Sequence, residues 1–214
     1  MSPDALIPSL GVLKVVSEGY PIQFGIAFED IIDLLVGWYV EPTTSDNAMR
    51  ALELAFLSYI PFWLRHLSAA LQLLGHLLHD AEVATEQING SLPEPGEAKC
   101  FAILRCAFAI LHSLFLCLTD VAVADAERSH MSNVRSLTVQ AFHLVTKASR
   151  RFGGGRLRDI AVEAGVTFGT LMNGDPAFQE AAFGAVLVEV EKEDITKMEV
   201  HAILEGAEKA CATW

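Results

Sequence analysis

Residues 101–118, FAILRCAFAILHSLFLCL, form an apolar run interrupted by one arginine, Arg105, and one histidine, His112. The run is long enough for about five turns of helix. A helix apolar all round has no face to give to water, so either lipid or other helices must cover it. Arg105 weighs against lipid, because an arginine near the centre of a membrane span costs about 2.5–3.5 kcal/mol on insertion scales. Arg50 and Arg65 argue the same way against a small integral membrane protein. The run is therefore read as the core helix of an all-α protein, packed on both sides.

Composition agrees with heavy two-sided packing. Hydrophobic residues make up 52% of the 214, charged residues 20%, and the mean hydropathy is +0.36. That length allows one domain or a short repeat array. The formal net charge of −12 gives a surface that repels nucleic acid and anionic lipid, so neither is expected as a direct partner. Cys100, Cys106, Cys117 and Cys211 form no CxxC pair, and as small hydrophobes in apolar runs they point to a reducing, intracellular compartment. The N-terminal MSPDALIPSL has neither the basic start nor the apolar stretch of a signal peptide.

Helical periodicity runs through the chain. A first helix is expected over Asp4–Ser17, ended by Gly19, Tyr20 and Pro21. A second, Phe24–Val40, puts Phe24, Phe28, Ile31, Ile32, Leu35 and Trp38 on one stripe. Pro42 stops it, and Ser45 or Asp46 is placed to cap a third helix reaching Tyr59. Beyond the break at Pro61, a long helix over Phe62–Ile88 carries Leu64, Leu67, Leu71, Leu74 and Leu78 on one face. NGSLPEPGE, residues 89–97, reads as the clearest loop. Helices over Lys99–Ala126 and Asn133–Phe152 follow, the latter ended by Gly153-Gly154-Gly155. Shorter helices are expected beyond, with breaks near Gly174-Asp175-Pro176 and Glu193-Asp194. Val186–Val190 alternates like a strand, but nothing nearby would pair with it, and it is kept helical. The resulting division is a helical array over 1–90, a loop over 91–98 and a second array over 99–214. Helix pairs recur at about the 40–47-residue spacing of HEAT units.

Few constellations offer chemistry. His66, His76 and His79 share one helix, but no acidic residue or cysteine at neighbouring turns completes a tetrahedral set except Asp80, which points differently, so they read as polar positions beside an apolar stripe. His112 reads as a hydrogen-bonded core histidine. Arg150, Arg151, Arg156 and Arg158 flank the triple glycine as the one basic patch. Without a preceding strand or a following Gly-Lys-Ser/Thr it is no phosphate loop. It reads as an inter-helix turn, with docking of an acidic partner or RNA as the functional alternative. Glu189, Glu191, Glu193 and Asp194 lack the alternation and central glycine of a calcium loop.

Residues 24–41 carry more specific information. Phe24, Gly25, Phe28, Asp30, Asp33, Leu35, Val36, Gly37, Trp38 and Glu41 reproduce a pattern that resembles the N-terminal HEAT region of the phosphatidylinositol-3-kinase-related kinase of nonsense-mediated mRNA decay. The likeness continues in Pro61-Phe62-Trp63, Leu73-Leu74-Gly75 and Asp80, with an echo at Leu104-Arg105 and Phe108. Trp38, Phe62 and Trp63 would then wedge helix pairs together, with Gly37 letting two helices approach closely.

The resemblance implies a segment of a serine/threonine kinase's α-solenoid arm, which scaffolds partner subunits of a complex that phosphorylates an RNA helicase. The family's Asp-Arg-His-x-x-Asn catalytic loop is not matched by Glu127-Arg128-Ser129-His130-Met131-Ser132-Asn133, and no Asp-Phe-Gly follows. The expectation is thus an all-α fold of antiparallel helix pairs stacked as a HEAT/armadillo-like α-solenoid. It would act as a non-catalytic fragment or short paralogue of the arm. No catalytic, cofactor-binding or metal-ligating residue is assigned, and no cofactor or small molecule is expected. The partners would be protein subunits of a kinase complex, in the cytoplasm and secondarily the nucleus. A free-standing helical adaptor of an unrelated assembly is the alternative.

Overall fold

A computed structural model describes residues 3–41, 43–86, 93–119, 129–152 and 155–171, and every regular element among them is helical. In chain order these are α1 (Pro3–Gly19), α2 (Pro21–Ile26), α3 (Phe28–Tyr39), α4 (Asp46–Ser58), α5 (Ile60–Trp63), a 3-10 turn (Leu64–His66), α6 (Leu67–Glu86), α7 (Pro93–Thr119), α8 (Met131–Phe152) and α9 (Gly155–Leu171). The readings made for residues beyond Leu171, including Val186–Val190, the acidic cluster and Cys211, lie outside the described residues, as do Glu127 and Arg128.

The apolar run lies on α7, which packs against α3, α4, α5, α6, α8 and α9. Its stretch Gly96–Thr119 has a mean hydropathy of 2.1, enough by length and composition to cross a membrane, yet 83% of its most apolar window is buried inside the protein. α6 and α7 run antiparallel, since Cys100 sits against Thr85 and Ala81 on either side of the short connection, with its Sγ 3.4 Å from the Thr85 hydroxyl. α9 lies alongside α7 in the same direction, with Arg156 over Phe101 and Phe168 beside His112 and Phe115. The buried hydroxyls of Thr85, Ser113, Thr138 and Thr146 each bond a carbonyl four residues back in their own helix, so none requires a partner across the core.

Several boundaries differ from the sequence reading. The stretch expected as one helix over 24–40 is two, broken at Ala27, where no proline or capping residue announces it. The expected helix over 62–88 is α5, a 3-10 turn and α6, because Pro61 starts α5 in its first turn rather than only ending α4. α7 begins at Pro93, inside the expected 91–98 loop, since proline is favoured at a helix start. Gly37 makes no close approach: it is exposed, and a Cβ there would meet open space. Trp38 is half-buried at the edge of the core, and its neighbour Tyr39 takes the fully buried position. Ser45 does cap α4, accepting from the Ala48 N–H at 3.3 Å, and the Thr44 hydroxyl donates to the Trp38 carbonyl at 2.6 Å, closing α3.

Phe62 and Trp63 are buried as expected, in a cluster with Phe24, Phe28 and Tyr59 whose ring centroids lie 4.9–6.3 Å apart. The Trp63 indole N–H also donates to the Phe56 carbonyl at 2.9 Å, satisfying an acceptor at the end of α4. The Tyr59 hydroxyl, equally buried, has no hydrogen-bond partner, and burial pushes its pKa up to about 12. The two rings should therefore answer differently to loss of their polar atom. Trp63→Phe takes away one of the two donors to the Phe56 carbonyl, which keeps the Tyr59 N–H at 3.2 Å, and should cost about 1 kcal/mol, whereas Tyr59→Phe should leave stability unchanged or raise it by up to about 1 kcal/mol. Urea unfolding of both variants measures the contrast.

Candidate interaction groove

Only one stripe of α7 between Cys100 and Leu118 is less than fully buried: Arg105, Ala109, His112 and Leu116, spaced four, three and four apart. The first three of these face a groove of about 370 Å³ between α4, α7 and α9. Phe108, Ile160, Ala164 and Phe168 supply its apolar wall, and Leu54 and Leu57 stand at its α4 rim. Leu54 is 68% exposed. Arg50, Glu53 and Glu163 add charge around the opening.

At the base of the groove a polar chain ties four helices together. Arg105 Nε donates to Glu53 Oε1 at 2.7 Å, and the Tyr39 hydroxyl donates to the same oxygen at 2.5 Å. Arg105 also approaches Asp46 at 3.8 Å, and Arg156 pairs with that carboxylate at 3.0 Å. The Arg156 guanidinium stacks 4.1 Å over the Phe101 ring. The Arg105 side chain is 11% exposed, so its charge is largely desolvated. Burial alone would lower its pKa, but the Glu53 carboxylate outweighs this and holds it above the ordinary value. Burial, reinforced by the Glu53 charge, raises both the Tyr39 hydroxyl and the Cys106 thiol far above their usual ranges. Cys100 is likewise raised by burial. These groups stay neutral and serve packing and hydrogen bonding, since a reactive cysteine needs the opposite shift.

The basic patch does not assemble as one free edge. Arg156, 54% exposed, contacts Asp46 and Phe101 along the surface, and Arg151 reaches the Glu86 carbonyl at 3.4 Å. Gly153, Gly154 and the Arg158 side chain lie outside the described residues. Nearby, Lys147 bonds Glu86 at 2.9 Å and lowers the pKa of that carboxyl. The histidines are dispersed as well. His66 Nδ1 is 2.8 Å from Glu29 Oε1, while His76 and His79 are exposed on α6. Among the described residues no three His, Cys, Asp or Glu side chains converge on a point. Among the described residues the His112 ring makes no hydrogen bond; it packs edge-on to Phe168 at 6.4 Å, and burial lowers its pKa. The groove was not singled out in the sequence, although Arg105 and His112, seven residues apart on an otherwise apolar helix, marked its floor.

The chain is 27% identical over 124 residues to the serine/threonine-protein kinase SMG1 of Danio rerio. The likeness is partial. It covers 53% of this chain and 3% of that kinase. No protein-family model matches the sequence, and no solved structure matches it.

The ion pair and the histidine each give a measurable expectation. Arg105→Leu leaves the Glu53 carboxylate, 25% exposed, with the Tyr39 hydroxyl as its remaining partner and should cost about 1–2 kcal/mol, while adding Glu53→Leu should recover part of that loss. A double-mutant cycle by denaturant unfolding reads the coupling. Because burial holds His112 below its ordinary value near 6.5, the unfolded chain binds a proton there that the folded chain resists. Its contribution to stability should be complete above that value and shrink as pH falls through it toward the lowered folded pKa. His112→Gln should flatten the pH dependence of stability over that interval.

Proposed function

We propose that this chain is a protein-binding scaffold of the kind formed by the helical arm of the kinase of nonsense-mediated mRNA decay. The single observation carrying this reading is the partial likeness to SMG1, which an all-helical fold accommodates. In this reading the helices are successive antiparallel pairs of a HEAT/armadillo-like α-solenoid. Support comes from the way α6, α7, α8 and α9 each pack on the next in sequence. The chain itself contributes no catalysis. It binds protein subunits of a kinase complex in the cytoplasm, through the groove between α4, α7 and α9. An exposed Leu54 above the Phe108 and Phe168 wall suits an apolar anchor from such a partner.

A match of 27% identity over 53% of this chain also suits a second reading, a free-standing helical adaptor that shares the packing motif and serves another assembly. Expression of the chain alongside a reporter transcript with a premature stop codon separates the two. As an arm segment without a kinase domain, it should sequester partner subunits and lengthen the reporter's half-life. Ala109→Arg, which fills the groove, should remove that effect while leaving helical circular dichroism unchanged. A folded chain that leaves the reporter's half-life unaltered would rule out the decay role and leave the adaptor.

A further inference from the structure

The groove between α4, α7 and α9 is walled by helix surfaces alone. Its lining residues fall within 50–57, 105–112 and 160–168, about two turns of each helix, so it is about 10 Å long. On each wall the backbone N–H and C=O groups are bonded within a helix, so an extended segment laid there would find no backbone partner. A helical segment brings its own backbone bonds. Leu54 and Leu57 on α4, and Ile160, Ala164 and Phe168 on α9, recur at three- and four-residue steps. Such rows leave furrows that the side-chain ridges of another helix enter. A helix with its side chains is about 10–12 Å across. At about 370 Å³ the groove therefore admits one face of a helix, with the axis riding above the rims.

The two rims also differ in charge. Arg50 is exposed on α4 and Glu163 is exposed on α9, facing the same opening from opposite sides. Neither meets an oppositely charged side chain within 4.0 Å among the described residues, although Asp46, Glu53 and Arg105 beside them are all paired. The width of the groove keeps this cation and this carboxylate apart.

We infer that the groove takes an amphipathic helix of a partner protein, with an apolar stripe toward Ala109, an acidic flank beside Arg50 and a basic flank beside Glu163. This occupant presupposes that the groove binds protein, as proposed above. It fills the gap between Arg50 and Glu163 and gives each its opposite charge. Net charge alone would select differently. At −12 the chain as a whole attracts a helix basic on both flanks, which would set a like charge against Arg50.

Three alanine-based helical peptides of about twenty residues, sharing one leucine stripe, test this against the full 214-residue chain by fluorescence anisotropy. One peptide has an acidic and a basic flank, one has two acidic flanks and one has two basic flanks. The comparison holds whichever direction the helix takes along the groove. At about 0.15 M salt, where long-range attraction is largely screened, the mixed peptide should bind about fivefold tighter than either of the others. Arg50→Glu makes both rims acidic and should move the preference to the doubly basic peptide, with helicity unchanged. A doubly basic peptide that binds the wild type best would reduce the contact to bulk charge and overturn the inference. Equal binding of all three, lost in Ala109→Arg, would also overturn it while leaving the groove as a protein site. Absence of binding up to about 0.5 mM would overturn the helical occupant, and the reporter's half-life then judges the groove on its own.

Discussion

Arg105 is the residue on which the arrangement of helices turns. α7 is covered by protein on nearly every side, and an arginine on such a helix is tolerable only where a carboxylate meets it. Glu53 meets it at 2.7 Å, which fixes where α4 crosses α7. Tyr39 donates to the same carboxylate oxygen and brings in the end of α3, while Asp46 joins Arg105 to Arg156 and so to α9. Helices distant in sequence are registered by one desolvated cation. Apolar packing is tolerant of small slips, whereas a buried ion pair is not, so the network supplies positional specificity that leucine and phenylalanine contacts would lack.

Two aromatic clusters flank that network. Phe24, Phe28, Tyr59, Phe62 and Trp63 join α2 and α3 to α5, and Phe108, Phe115, Phe142 and Phe168 join α7 to α8 and α9. Between them lies the groove, where α7 shows its one incompletely covered stripe. The site follows from the packing. α4 and α9 are both held to α7 by the same polar chain, and the space between them is left open above Ala109 and His112. It has an apolar wall of Phe108, Ile160, Ala164 and Phe168 and a charged rim of Arg50, Glu53 and Glu163.

Much was legible in the residues themselves. The all-α class, α1, the Ser45 cap, the heavy cover over α7 and the burial of Phe62 and Trp63 follow from local periodicity, from proline and serine positions, and from the scarcity of charge between residues 100 and 119. Each depends on neighbours a few residues apart, where sequence spacing and spatial proximity coincide. The resemblance carried by Phe24–Glu41 and Pro61–Trp63 points toward the same kinase as the measured likeness.

Other features depend on residues far apart in the chain, and only the tertiary structure decided them. Glu53 and Arg105 are fifty-two positions apart and Asp46 and Arg156 one hundred and ten, so no periodicity links them. The same holds for the break at Ala27, which no helix-breaking residue signals, and for Gly37, whose open surroundings rather than its identity decide what a side chain there would meet. The basic patch illustrates the general reason. Four arginines around a glycine turn read as a solvated edge, and Arg156 does stay 54% exposed, but its contacts with Asp46 and Phe101 come from other helices and no local spacing foretells them. Sequence determined which segments are helices needing cover, because that is a property of local spacing. Which helix covers which, and where a groove is left, was decided by long-range ion pairs and ring contacts that exist only once the chain has closed.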